Sequence, residues 1–121
     1  MILIIDDELA IRDAVTDILE IVEVPAISAS NGKDGIELFR QHADRIDAIL
    51  LDMRMPVMSG SETYRALREL DSDIPIILSS GYDDAENAAA FHGDEHVAFL
   101  HKPYTMDTLI ELIQHTLNNV E

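Results

Sequence analysis

Short apolar runs alternate along this chain with longer stretches whose apolar residues recur every three or four positions. Ile2-Leu3-Ile4-Ile5 is a continuous run rich in β-branched residues, the pattern of a strand buried on both faces. From Ile11 the period changes. Ile11, Ala14, Val15, Ile18, Leu19 and Val22 form one helical stripe, and Arg12, Asp13, Thr16, Asp17, Glu20 and Glu23 take the other side. Pro25 ends that helix, Ala26–Ser30 reads as a weaker second strand, and Asn31-Gly32 as a turn. A second helix over Lys33–Ala43 turns Gly35, Leu38 and Phe39 inward, and Ile46–Leu51 is a third strand. Ser59-x-x-Glu62 is a capping-box signature for a helix burying Thr63, Ala66, Leu67 and Leu70. Ile74–Ser79 is the fourth strand. Asp83–His92 is a helix with few large apolar anchors beyond Phe91, and Val97–Leu100 is the fifth strand. A last helix carries Met106, Leu109, Ile110, Ile113 and Leu117 on one stripe.

Five strands alternating with five helices predict parallel pairing, right-handed crossovers and helices on both faces. The strands are too few for an eight-stranded barrel. The expected fold is therefore α/β, an open doubly wound parallel sheet of flavodoxin-like type in the order 2-1-3-4-5. Such sheets bind ligands beyond the carboxyl ends of their strands, where the winding reverses.

Composition narrows the function classes. The 121 residues suit a single domain over 1–121, and a hydrophobic content of 47% excludes disorder. The longest apolar run, Met1–Ile5, is too short for a membrane span or a signal peptide. With no cysteine there is no disulfide framework, thiolate metal site or cysteine nucleophile. A net charge of −16 argues against binding nucleic acid or anionic lipid directly, since either needs a basic face.

The chemistry sits at the strand ends: Asp6 and Asp7, Asp52, Ser79 and Ser80, and Lys102. In the order 2-1-3-4-5 these ends gather three carboxylates, hydroxyls and one ammonium. Two carboxylates about 4 Å apart repel by roughly 4 kcal/mol at an effective dielectric near 20. Three such pairs approach about 12 kcal/mol, comparable to the ~5–15 kcal/mol stability of a whole domain. Lys102 alone cannot offset that, so the cluster calls for a divalent cation. All-oxygen ligation favours Mg2+, with Mn2+ as a substitute, over zinc. Asp52 then has the setting of a carboxylate nucleophile for phosphoryl transfer. Strand-end aspartates can also simply cap the helices that follow, but that accounts poorly for the adjacent pair, Asp52 and Lys102 together.

Asp6-Asp7-Glu8 after a first strand, Asp52-x-x-Met55-Pro56-x-Met58-Ser59-Gly60, Ser80-Gly81 after a fourth and Lys102-Pro103 after a fifth resemble the receiver domain of two-component response regulators. The resemblance spans essentially the whole chain. It implies that Asp52 is the phosphoacceptor, taking its phosphoryl group from a phosphohistidine on a sensor histidine kinase or histidine phosphotransfer protein. It implies Mg2+ bound by Asp6, Asp7, Asp52 and the backbone carbonyl of Arg54. Ser80 would be the switch hydroxyl, Phe99 the switch aromatic, and Lys102-Pro103 a cis peptide aiming the ammonium at the site. It further implies a phosphoacceptor that catalyses only its own phosphorylation and dephosphorylation, and a cytoplasmic location, or the cytoplasmic portion of a membrane sensor kinase. No effector domain is recognised in the chain. The switched face would comprise the fourth helix, fifth strand and fifth helix, and a dimer through that face is a further expectation.

The departures from the family pattern are informative. Serine replaces the commoner threonine at Ser80, Gly81 follows it, and Phe99 lacks a phenolic hydroxyl. Glu23-Val24-Pro25 stands where a glycine-containing turn is common, and His101 where an apolar residue is usual. Arg54 and Tyr82 are expected to stack and slow the water that hydrolyses the aspartyl phosphate. The Leu78–Tyr82 run looks like receivers fused to hybrid sensor kinases. The alternative function is a Mg2+-dependent phosphohydrolase or phosphotransferase acting through Asp52 on a small substrate. Such enzymes commonly carry a second aspartate two residues after the nucleophile, and here that place is Arg54.

Overall fold

The computed structural model describes residues 1–55, 57–81, 91 and 93–118. In chain order these form β1 (Ile2–Ile5), α1 (Leu9–Ile21), β2 (Ala26–Ala29), α2 (Gly32–His42), β3 (Ala48–Asp52), α3 (Gly60–Leu70), β4 (Ile76–Ser80), β5 (Val97–His101) and α4 (Met106–Asn118). The five strands make one parallel sheet in the order β2-β1-β3-β4-β5. That is the expected doubly wound architecture. The helix expected over Asp83–His92, with Tyr82 before it, lies outside the described residues apart from Phe91.

Alternation along the strands divides the core. Ile2, Ile4, Ala48, Leu50, Ile77 and Leu100 pack with Val15 and Leu19 of α1 and with Leu109 and Ile113 of α4. Leu3, Ile5, Ile49, Leu51, Ile76 and Leu78 pack on the other face with Phe39 of α2, Leu67 of α3 and Phe91. β1, β3 and β4 are buried along their whole length, as both-face burial requires of runs without polar alternation.

Three local expectations change. Asn31-Gly32 is the start of α2 rather than a free turn: the Asn31 side chain accepts from the Asp34 N–H at 2.8 Å, an N-cap. Leu70 and Met106 lie at helix ends that overhang the sheet and are exposed, as is Ala14 on α1. Ser59 does cap α3, accepting from the Glu62 N–H at 3.2 Å, but its hydroxyl points to the Glu62 carboxylate in place of the reciprocal backbone bond.

Candidate functional site

β1 and β3 are direct neighbours, so the residues just beyond or at their carboxyl ends, Asp6 and Asp52, come to the same edge of the sheet. Both are buried. β5 lies two strands beyond β3, and the residue after it, Lys102, reaches back past β4. Its Nζ lies 3.2 Å from Asp52 Oδ1 and 3.4 Å from Asp6 Oδ2. The Lys102-Pro103 peptide is cis, and the Lys102 N–H donates to the Ser80 carbonyl at 2.7 Å. The lysine backbone is thereby tied to the end of β4 while its ammonium bridges the two carboxylates.

The loop after Asp52 is drawn tightly under the site. The Arg54 N–H donates to Asp52 Oδ1 at 3.2 Å, and the Gly60 N–H donates to the Met53 carbonyl at 3.1 Å. Gly60 comes so close to β3 that a Cβ there would lie 2.5 Å from Met53 Cα and 2.6 Å from the Asp52 carbonyl oxygen. Glycine is therefore required for the chain to turn back against the strand that carries Asp52.

The charges are poorly matched. Burial pushes the Asp52 carboxyl up to about 6; Lys102 pulls against this, and the Asp6 charge adds to it. Burial works against the Lys102 ammonium, yet Asp52 and Asp6 hold its pKa above the ordinary lysine value. Carboxylate oxygens of Asp6, Asp7 and Glu8 lie within 4.8 Å of one another on the rim, Asp7 and Glu8 exposed and Asp6 buried. Among the described residues the Lys102 ammonium pairs with Asp6 and Asp52, and the carboxylates of Asp7 and Glu8 on the rim have no ion pair. An all-carboxylate set left with this much unneutralised charge is one that could hold a hard divalent cation.

The structure brings together Asp6, Asp52 and Lys102, with Asp7 on the rim beside them. Ser80, the expected switch hydroxyl, is the last residue of β4, one position beyond Ser79, which stands in register with Asp52; both serines are buried. Phe99 is 40% exposed and meets Phe91 edge-on with ring centroids 6.2 Å apart. Tyr82 is outside the described residues, so the expected stacking of Arg54 on it is too; Arg54 itself is exposed. Sequence reasoning passed over Tyr104. It packs on the α1–α4 core, and burial raises its phenol pKa, the nearby Asp6 and Asp52 adding to the effect and Lys102 opposing it. The signal for it was its position two residues after Lys102. The Ser79 hydroxyl lies close to this phenol but completes no hydrogen bond among the described residues. Arg12 was read only as part of a solvated helix face, yet its Nη1 donates to the Asp6 carbonyl at 2.8 Å.

Known proteins share this fold. The family model for the response regulator receiver domain matches residues 2–114. The autoinducer 1 sensor kinase/phosphatase LuxN of Vibrio campbellii is 32% identical over 117 residues, which are 97% of this chain and 13% of that protein. The response regulator MprA of Mycolicibacterium vanbaalenii is 29% identical over 109 residues, 90% of this chain and 46% of the relative. The chain therefore spans from about an eighth to about half of such curated relatives. Among solved structures, a response regulator receiver domain protein from Clostridium thermocellum superposes with a TM-score of 0.89 at 30% identity, covering 97% of this chain and 93% of that one. The Vibrio cholerae chemotaxis protein CheY4 gives 0.87 at 26% identity, with 96% and 97% covered. A match that takes in all five strands and every acidic strand end means that the chain belongs to the response regulator receiver domain family.

Proposed function

We propose that this domain is a phosphorylation-dependent signalling switch in which Asp52 accepts a phosphoryl group from the phosphohistidine of a sensor histidine kinase or histidine phosphotransfer protein, with Mg2+ as cofactor. The observation that carries the reading is the buried Asp52 carboxylate held with Asp6 on the single ammonium of Lys102. Both hydrogen bonds that Asp52 receives from described residues fall on Oδ1, from Lys102 and from the Arg54 N–H. Oδ2 is then the oxygen that attacks phosphorus. A P–O bond to Asp52 forms as the P–N bond to the donor imidazole breaks, and the imidazole leaves with its electron pair and takes up a proton.

Asp6, Asp7, Asp52 and the Arg54 carbonyl would hold the Mg2+, which when bound neutralises charge on the phosphoryl oxygens. The Lys102 ammonium does the same from the β5 side, where its ion pairs already aim it. Ser80, at the end of β4 and bound through its carbonyl to the Lys102 N–H, supplies the hydroxyl that follows the phosphoryl group. Phe99, half turned to solvent, is the aromatic that moves with it. β5 and α4 belong to the face whose conformers shift, a change of the size of ordinary allosteric coupling, ~1–3 kcal/mol. The domain turns over no diffusible product. Relatives include both sensor kinases and response regulators, which supports a histidine kinase or phosphotransfer partner.

Incubation with acetyl phosphate and Mg2+ tests this by intact-mass measurement. The expected result is one phosphoryl group per chain, labile to base, absent in Asp52→Asn and absent with EDTA. Sustained release of phosphate from a stable phosphomonoester, which is no donor for a receiver, would instead place the chain among phosphohydrolases.

A further inference from the structure

We propose that Arg12 is a positioning residue for the cation-binding ledge, holding the Asp6–Asp7 peptide so that the Asp7 carboxylate faces the metal. The proposal rests on the Mg2+ reading above. Asp6 is fixed at four points: its N–H donates to the Ala29 carbonyl at 3.2 Å, Oδ1 accepts from the Glu8 N–H at 2.9 Å, Oδ2 meets Lys102, and its carbonyl accepts from Arg12 Nη1 at 2.8 Å. The Asp7 side chain, by contrast, has no hydrogen bond or ion pair among the described residues. Its direction is set by the backbone alone. The carbonyl of Asp6 and the N–H of Asp7 share one rigid peptide plane, so a donor that fixes the first fixes the second.

Of the four contacts, the Arg12 bond is the one made to the peptide that leads into Asp7. Glu8 is the N-cap of α1 but makes no side-chain capping bond, the device that usually pins such a turn. Arg12 stands one turn into α1, with its N–H on the Glu8 carbonyl at 3.1 Å, and its guanidinium reaches back to the strand end that the cap leaves loose. Arg12 lines a groove with Ser28, Ser30, Asp34 and Glu37, and its hydrogen bond to the strand end goes to the Asp6 carbonyl and not to a carboxylate.

The sign of the effect is diagnostic. Arg12 carries a positive charge close to a cation site, so by Coulomb's law alone its removal should tighten metal binding. A positioning role predicts the opposite, because losing an outer partner of a ligand typically weakens metal affinity by about tenfold or more. Mg2+ titration calorimetry on the wild type, Arg12→Met and Arg12→Lys decides between them. The expected result is a Kd about tenfold weaker in Arg12→Met, partial recovery in Arg12→Lys, a displaced Asp7 amide resonance in metal-free protein, and a near-native rate of phosphorylation by acetyl phosphate once Mg2+ saturates. An unchanged or tighter Kd in Arg12→Met overturns the positioning role and leaves the function reading intact. Failure of the wild type to bind Mg2+ overturns both. Where circular dichroism shows Arg12→Met unfolded, folded Arg12→Lys decides: a weaker Kd supports the positioning role and an unchanged Kd overturns it.

Discussion

Two ion-paired clusters sit at opposite ends of the sheet, and they are built to different rules. At the carboxyl end, Lys102 is shared between Asp6 and Asp52 at 3.4 and 3.2 Å. At the amino end, Arg68 of α3 holds Asp94 alone, Nε to Oδ2 at 2.6 Å. The same Asp94 oxygen accepts a short hydrogen bond from the Tyr64 hydroxyl, and Oδ1 accepts from the His96 N–H at 2.9 Å. The remaining guanidinium donors go to the carbonyls of Ile74 at 2.7 Å, Asp71 at 3.3 Å and His96 at 3.3 Å. Arg68 thus ties α3 to the segments entering β4 and β5. The pKa values register the contrast. Burial pushes the Asp94 carboxyl up, but the hydrogen bonds from Arg68 and Tyr64 outweigh it and the net shift is down. At Asp52 burial wins and the net shift is up. A carboxylate that accepts hydrogen bonds on both oxygens and has a counter-charge to itself holds the fold together. One that shares its counter-charge with a second acid costs the fold stability, and that unmet demand is what a cation or a phosphoryl group can answer.

The largest effect should come from breaking the satisfied cluster. Asp94→Ala leaves a mostly buried guanidinium and a phenol without their common partner, a loss of roughly 2–4 kcal/mol. Urea denaturation followed by circular dichroism measures it. A loss below about 0.5 kcal/mol, the range of ordinary surface substitutions, would mean that the amino-end cluster does not brace the fold.

At the carboxyl end the sign reverses. Asp52→Asn removes a buried charge and keeps its shape, and the metal-free protein should gain roughly 1–3 kcal/mol near neutral pH. The pH dependence follows from the direction of the shift. Folded Asp52 binds its proton up to about 6, the unfolded chain only to 3.8, so its contribution to stability is full below about pH 4 and is lost as pH rises through 6. Asp94 behaves oppositely: its contribution is present above 3.8 and disappears as pH falls through its lowered folded value. Unfolding curves in EDTA between pH 3 and 7 for the wild type, Asp52→Asn and Asp94→Asn separate the two. The stability gained by Asp52→Asn should shrink toward pH 4. A gain independent of pH would show that the ionised carboxylate is not its source.

The unequal legibility of the two clusters has a physical origin. Asp6, Asp52 and Lys102 could be read from the sequence because each ends or directly follows an apolar run, and parallel strands must deliver such ends to one edge. The Arg68–Asp94–Tyr64 cluster joins a helix surface to a loop across 26 and 30 residues, and no periodicity encodes such a contact. Arg12 was hidden by its own helix, whose polar stripe predicts exposure while the long side chain folds back to a carbonyl. Leu70 and Met106 obey the helical period but stand at the first or last residue of their helices, past the sheet that would cover them. Ser79 and Ser80 were adjacent candidates, and only the strand register shows that Ser79 is the one opposite Asp52.

The smallest effect concerns strain at the same end as Arg68. α1 finishes with Glu23 at φ 61, its N–H on the Glu20 carbonyl at 3.0 Å and the Val24 N–H on the Leu19 carbonyl at 2.9 Å. This is a Schellman cap with a glutamate in the left-handed position that glycine usually fills. The missing glycine noted in the sequence has therefore not removed the turn; a residue with a Cβ has been forced into it. That conformation costs an L-residue roughly 1–2 kcal/mol, part of which glycine gives back through the larger entropy of its unfolded state. Glu23→Gly should raise stability by about 0.5–1 kcal/mol, seen as a higher urea midpoint with an unchanged slope. Because Glu23 lies at the opposite end of the sheet from Asp52, Mg2+ affinity and the rate of phosphorylation by acetyl phosphate should stay at wild-type values. A change in either would mean that the two ends of the sheet are energetically coupled, and the contrast between a bracing end and a reactive end would have to be redrawn as one network.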